Sequence, residues 1–202
     1  MLTKTAAAVA LIGSLLVAPS ALASDPAPTP DAGYGVCADQ APSENPFLSW
    51  GDTGTYFLTP GGDFEAASAS WALADGASLQ TGYSPEGWGT SLNLPEGATA
   101  LSPPLCVADN YTHGRMFGQA DHTARKARAR VEVDVLYSSG DTDSADVRVH
   151  EDWDATRRFR FDVDEFEIDP ITGTDSIQLM FEGEGPAGAV LDGVYVDPTH
   201  RH

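Results

Sequence analysis

Between Val131 and Tyr137 the chain alternates apolar and acidic residues: Val131-Glu132-Val133-Asp134-Val135-Leu136-Tyr137. A period of two puts Val131, Val133, Val135 and Tyr137 on one face of a strand, with Glu132 and Asp134 on the other. A strand of this kind needs a second apolar layer to cover it. Phe159-Arg160-Phe161-Asp162-Val163 and Val147-Arg148-Val149 repeat the pattern. Ile177 to Phe181 and Val190 to Val196 are more continuously apolar, as central strands covered on both faces are. Tyr56 to Leu58, Trp71 to Leu73, Ser91 to Leu94 and Arg115 to Phe117 are further candidates, about nine in all. Glycine and proline punctuate the intervals, at Gly61-Gly62, Asp75-Gly76, Pro95-Glu96-Gly97, Pro103-Pro104, Gly140-Asp141 and Gly183 to Gly188. No window sustains a helical period. Residues 121 to 130 come closest, and their apolar positions are only alanines. The expected class is all-β, an antiparallel β-sandwich.

The N-terminus reads as an export signal over residues 1–23. Lys4 is followed by an apolar run from Ala6 to Val17, a break at Pro19-Ser20, and the small-x-small site Ala21-Leu22-Ala23. The run is shorter than the roughly 20 apolar residues that cross a bilayer, so no membrane insertion is expected. The expected location is secreted. Residues 24–46 begin Ser24-Asp25-Pro26-Ala27-Pro28-Thr29-Pro30, a Pro-rich tether. Residues 47–198 form the expected sandwich domain, and 199–202 a flexible tail. Two cysteines in an exported chain predict one disulfide, Cys37 to Cys106, tying down the tether.

With 30 acidic and 11 basic groups, the chain has a formal charge of −19. That balance repels phosphate backbones and argues against nucleic-acid binding. Arg125 to Arg130, the one basic run, reads as a solvated lead into a strand. The acidic balance fits either solubility in a saline habitat or attraction of divalent cations. Asp141 to Asp146 lacks the glycine and distal glutamate of a calcium loop, and reads as a hairpin turn.

Gly61-Gly62-Asp63-Phe64-Glu65, then Ser70-Trp71-Ala72-Leu73, then the closing Leu191-Asp192-Gly193-Val194-Tyr195-Val196-Asp197-Pro198, resemble carbohydrate-binding modules of the family 4, 9 and 22 type. Those modules open on a strand reading G-G-D-F-E and close on I-D-D-V, whose second aspartate is Gly193 here. The order of Ser91-Leu92, Ser102 to Cys106 and the final V-Y-V-D-P is also similar to a group of small exported actinobacterial proteins of unestablished function. The resemblance spans about residues 47 to 198 and implies a galactose-binding-like jelly roll. It further implies a structural calcium bridging the first and last strands through Glu65 and Asp192, with Asp63 a weaker candidate.

For a ligand surface, Tyr83 and Trp88 stand in a glycine-rich loop where exposed rings can stack on a sugar, with Tyr111 and Trp153 behind them. No nucleophile elbow, zinc-protease helix motif or phosphate-binding loop is present in the sequence, and no catalytic residue is expected. The residues point to a non-catalytic binding module for polysaccharide or another cell-envelope component. The alternative is a structural or protein-interaction domain, which would show a flat apolar patch and no cleft.

Overall fold

The computed structural model describes residues 44–65, 71–82, 84–85, 87, 89–108, 111, 113–120, 129–170 and 174–197. The export signal, most of the tether, Cys37, Tyr83, Trp88, the 121–128 segment and the tail lie outside the described residues.

Among the described residues thirteen strands follow in order: β1 (Phe57–Leu58), β2 (Ala72–Ala74), β3 (Ser78–Thr81), β4 (Thr90–Leu94), β5 (Thr99–Leu101), β6 (Leu105–Val107), β7 (His113–Ala120), β8 (Ala129–Tyr137), β9 (Thr142–Val149), β10 (Asp154–Ala155), β11 (Phe159–Arg160), β12 (Asp175–Glu184) and β13 (Ala189–Asp197). They form two antiparallel sheets. One runs β10-β7-β13-β4-β3, with β1 on β13 and β11 on β7; the other runs β2-β5-β12-β8-β9, with β6 on β12. The protein is an antiparallel β-sandwich of the jelly-roll kind, and no α-helix occurs among the described residues.

The alternation in β8 works as expected. Val131, Val133, Val135 and Tyr137 are buried between the sheets, where they meet Leu92, Leu94, Leu179, Phe181 and Leu191. Trp71 joins this core beside Phe64, with ring centroids 5.2 Å apart. The apolar runs at 177–181 and 190–196 occupy β12 and β13, each flanked on both sides by other strands.

The opening and closing edges of the chain meet. Phe57 pairs with Val196 and Leu58 with Tyr195, and the Thr59 N–H donates to the Val194 carbonyl at 2.9 Å. The pairing slips between Asp192 and Tyr195, where Gly193 takes φ +54°. A Cβ there would stand 2.9 Å from both the Phe117 and Tyr195 rings. The departure from I-D-D-V is therefore a β-bulge that only glycine fits.

Three sequence expectations need correction. Gly61 to Glu65 is not an opening strand: the chain turns there, Phe64 N–H donating to the Gly61 carbonyl at 3.1 Å, with Phe64 at φ +54° and buried. Alternation therefore does not set the directions of Asp63 and Glu65. Asp141 to Asp146 is not a hairpin turn either, because β9 starts at Thr142 and pairs with β8 along its whole length. Exposed Thr142, Ser144 and Asp146 alternate there with half-buried Asp143 and Ala145, a period of two that the polar composition hides. Finally, Phe159 to Val163 holds only the two-residue β11 before a 3₁₀ turn at Val163–Glu165.

Candidate functional site

The chain crosses from one sheet to the other between Val149, the last residue of β9, and Asp154, the first of β10. At this corner a loop from the N-terminal side lies over the edge of the seven-stranded sheet. Backbone hydrogen bonds between Glu44 and Tyr56 close the loop, at 2.9 and 2.8 Å. Asn45 Nδ2 donates to the Gly54 carbonyl at 2.8 Å, so residues 44–46 belong to the folded body and not to the tether.

Phe47 plugs the loop into the sheet and is fully buried, its ring 4.8 Å from Phe117 and 4.9 Å from Tyr56. A single 3₁₀ turn, Leu48–Trp50, follows and ends on Gly51 in the left-handed region. That turn lifts Trp50 outward. Its indole packs 5.0 Å from the Phe117 ring and stays 41% exposed. Leu48 and Trp50 are the exposed large hydrophobic residues among those described.

Behind Trp50, Asp52 is buried and bound from every side. Its Oδ2 accepts from Arg158 Nη2 at 2.6 Å, Arg115 Nη1 at 2.7 Å and the Tyr56 hydroxyl at 2.7 Å. Its Oδ1 accepts the Gly54 N–H at 2.9 Å. Burial works against the ionised carboxyl, but the Arg158, Tyr56 and Gly54 hydrogen bonds outweigh it and hold Asp52 well below the usual carboxylate range. Burial and the bond to Asp52 push Tyr56 up to about 12. Arg115 is held further: Nε donates to the Thr156 carbonyl at 2.7 Å, and its guanidinium lies 4.7 Å from the Phe47 ring centre.

Thr156 locks the other wall, its N–H donating to the Met116 carbonyl at 2.9 Å. The Phe159 ring then packs against Gly114, where any Cβ would collide with it. Glycine at 114 thus lets β11 approach β7 and sets Arg157 and Arg158 at the rim. The result is an open cleft of about 490 Å³ lined by Trp50, Asp52, Arg115, Thr156, Arg157 and Arg158. A neighbouring hollow of about 320 Å³ shares Arg115, Thr156 and Arg157 and adds Arg148, His150 and Asp154.

The residues singled out in the sequence fall in different places. Tyr111 is buried, its ring stacked near Phe57 at 6.1 Å, and is withdrawn from any ligand. Trp153 is half-buried against the Phe47, Tyr56 and Phe117 cluster, so it supports the cleft floor without lining the cleft. Tyr83 and Trp88 lie outside the described residues. Cys106 sits in β6 with no free thiol, while its expected partner Cys37 lies outside the described residues.

Glu65 is exposed and already accepts the Thr90 N–H at 2.5 Å, and half-buried Asp192 accepts the N–H of its neighbour Gly193 at 2.7 Å. Among the described residues no three potential metal-ligating side chains gather. Glu65 and Asp192 each accept a backbone hydrogen bond, and the expectation of calcium between them rests on the resemblance. Sequence reasoning missed Trp50, Asp52 and the arginines. The available signals were Trp50-Gly51-Asp52 ahead of the first strand and the Arg157-Arg158 pair in so acidic a chain.

No family model and no curated protein matches the chain. Among solved structures, it is similar in chain path to a xylan-binding domain of carbohydrate-binding family 22, at 13% identity and TM-score 0.48, covering 75% of this chain and 99% of that one. It is also similar to a family 61 module in complex with beta-1,4-galactotriose, at 14% identity and TM-score 0.45, covering 70% and 97%. An exo-beta-1,3-galactanase from Phanerochaete chrysosporium matches at 14% and 0.45, over 72% of this chain and 29% of that one. Likeness at this level leaves the ligand to be read from the side chains themselves.

Proposed function

We propose that the protein is an exported, non-catalytic glycan-binding module whose ligand lies in the cleft beside Trp50. The observation that carries this reading is the pairing of a solvent-facing indole with a wall of fixed guanidinium groups. A sugar ring offers an apolar face to stack on an aromatic plate, and its edge offers hydroxyls that need oriented polar partners. Trp50 supplies the plate, while Arg115 and Arg158, clamped by Asp52, supply donors that lose little freedom on binding. The exposed large apolar residues among those described sit on one 3₁₀ turn beside a cleft, which favours a pocket over a broad docking face.

The test is retention of the full-length chain on a panel of plant and cell-envelope polysaccharides. Trp50→Ala abolishes retention while the melting temperature stays within about 2 °C of the parent. Trp88→Ala is the parallel variant for the glycine-rich loop. Retention lost with Trp88→Ala and kept with Trp50→Ala would move the site to that loop. The same reading has Cys37 and Cys106 joined, and an intact mass before and after reduction checks the bond.

A further inference from the structure

The described cationic side chains are six arginines, at 115, 130, 148, 157, 158 and 160, in a chain whose formal charge is −19. Four of them, Arg115, Arg148, Arg157 and Arg158, line the two adjoining hollows at the Trp50 corner. Two carboxylates line the hollows with them, Asp52 and Asp154, and a third, Asp197, lies buried behind Arg158 and is paired with His113. Asp52 is shared between Arg115 and Arg158, so that trio keeps a net positive charge. Arg148 and Arg157 are exposed, and neither forms an ion pair among the described residues. A guanidinium carries five N–H donors, and the bonds from Arg115 and Arg158 to Asp52 and Thr156 leave several unspent on each.

We infer that the cleft takes an acidic glycan, its anionic group a carboxylate or a sulfate. This rests on the reading of the Trp50 cleft as the glycan site. A neutral sugar gains nothing from a concentration of positive charge that the rest of the surface opposes. An anionic sugar gains bidentate, charge-assisted bonds from the guanidinium forks. The anion sits between Arg157 and Arg158 with the ring against Trp50, and Arg148 meets the next anionic residue along the polymer. The acidic surface elsewhere repels the same polymer, so attraction is confined to this corner.

The experiment is affinity electrophoresis of the full-length chain through gels containing polygalacturonate, dextran sulfate or neutral xylan, at low and high salt. The parent is retarded by an acidic polymer far more than by xylan, and high salt weakens the retardation. Arg157→Ala raises the apparent Kd about tenfold or more without moving the melting temperature. Arg130→Ala, on the far sheet, leaves it unchanged. The acidic polymer that is held tells a carboxylate ligand from a sulfate. Retention on xylan that is lost with Trp50→Ala but untouched by Arg157→Ala would overturn the acidic-ligand inference and keep the glycan site. Retention on none of the three, or an unaltered Trp50→Ala variant, would overturn both.

Discussion

The outer face of the six-stranded sheet and the Trp50 corner handle charge in opposite ways. On the sheet face, Glu132 stands in register with Asp146 on β9 and with Glu182 on β12, and Asp134 and Glu184 lie close by. Partial burial and then these four carboxylates push the Glu132 pKa upward. At the corner Asp52 is buried among donors and held low, and Asp197 behind it is paired with His113. The sheet face follows from a period of two: every second residue faces water, and in an acidic chain those residues are acids. Each repulsion is small because solvent screens it. The corner joins Asp52 to arginines 63 and 106 positions further along the chain, and because Asp52 itself is out of water its charge unmatched would cost several kcal/mol. Repulsion spread over a wet sheet is tolerated; a buried charge has to be completely partnered, and the partners thereby become rigid.

The contrast can be broken most sharply at Asp52. Asp52→Ala leaves Arg115, Arg158 and the Tyr56 hydroxyl without their acceptor, and costs about 3 kcal/mol in urea unfolding. It also removes glycan retention, because the guanidiniums lose their anchor. Gly114→Ala attacks the same corner through packing: the new methyl drives Phe159 off β7, with an expected loss of about 2 kcal/mol.

Acid titration separates the two regions by sign. Asp52 has a folded pKa below the unfolded value of about 3.9, so its contribution is complete above that value and lost as pH falls beneath it. Asp52→Asn therefore differs most from the parent at neutral pH and converges on it toward pH 2. Glu132 has a raised folded pKa, so its penalty is absent in acid and sets in as pH rises through the carboxylate range. Glu132→Gln accordingly gains up to about 0.5 kcal/mol at pH 7 and nothing at pH 3, and added salt narrows the gain. The smallest effect concerns Glu65 and Asp192. If calcium bridges the two carboxylates as the resemblance implies, EDTA lowers the melting temperature, and an unmoved value would remove the ion.

Much of the architecture was legible in local pattern. The β8 alternation, the apolar runs of β12 and β13 and the core position of Trp71 each follow from one strand's own residues. Legibility failed where neighbours decided. Thr142 to Asp146 looks like a turn by composition, yet pairing with β8 makes it a strand. Tyr111 looks like a loop ring, yet the chain folds it into the core. Trp50 gives no periodic signal at all, and its exposure depends on Phe47 being swallowed by the sheet beneath it.

By its sequence alone, this protein was committed to short antiparallel strands in two layers, because side-chain period and turn chemistry act over a few residues. Gly193 could be seen as a departure, but its reason, a bulge under two rings, needed three-dimensional neighbours. Only the tertiary structure could bring Trp50, Asp52, Arg115 and Arg158 to one corner. Their association depends on which strands become sheet edges and where the chain crosses between layers, and long-range packing settles both.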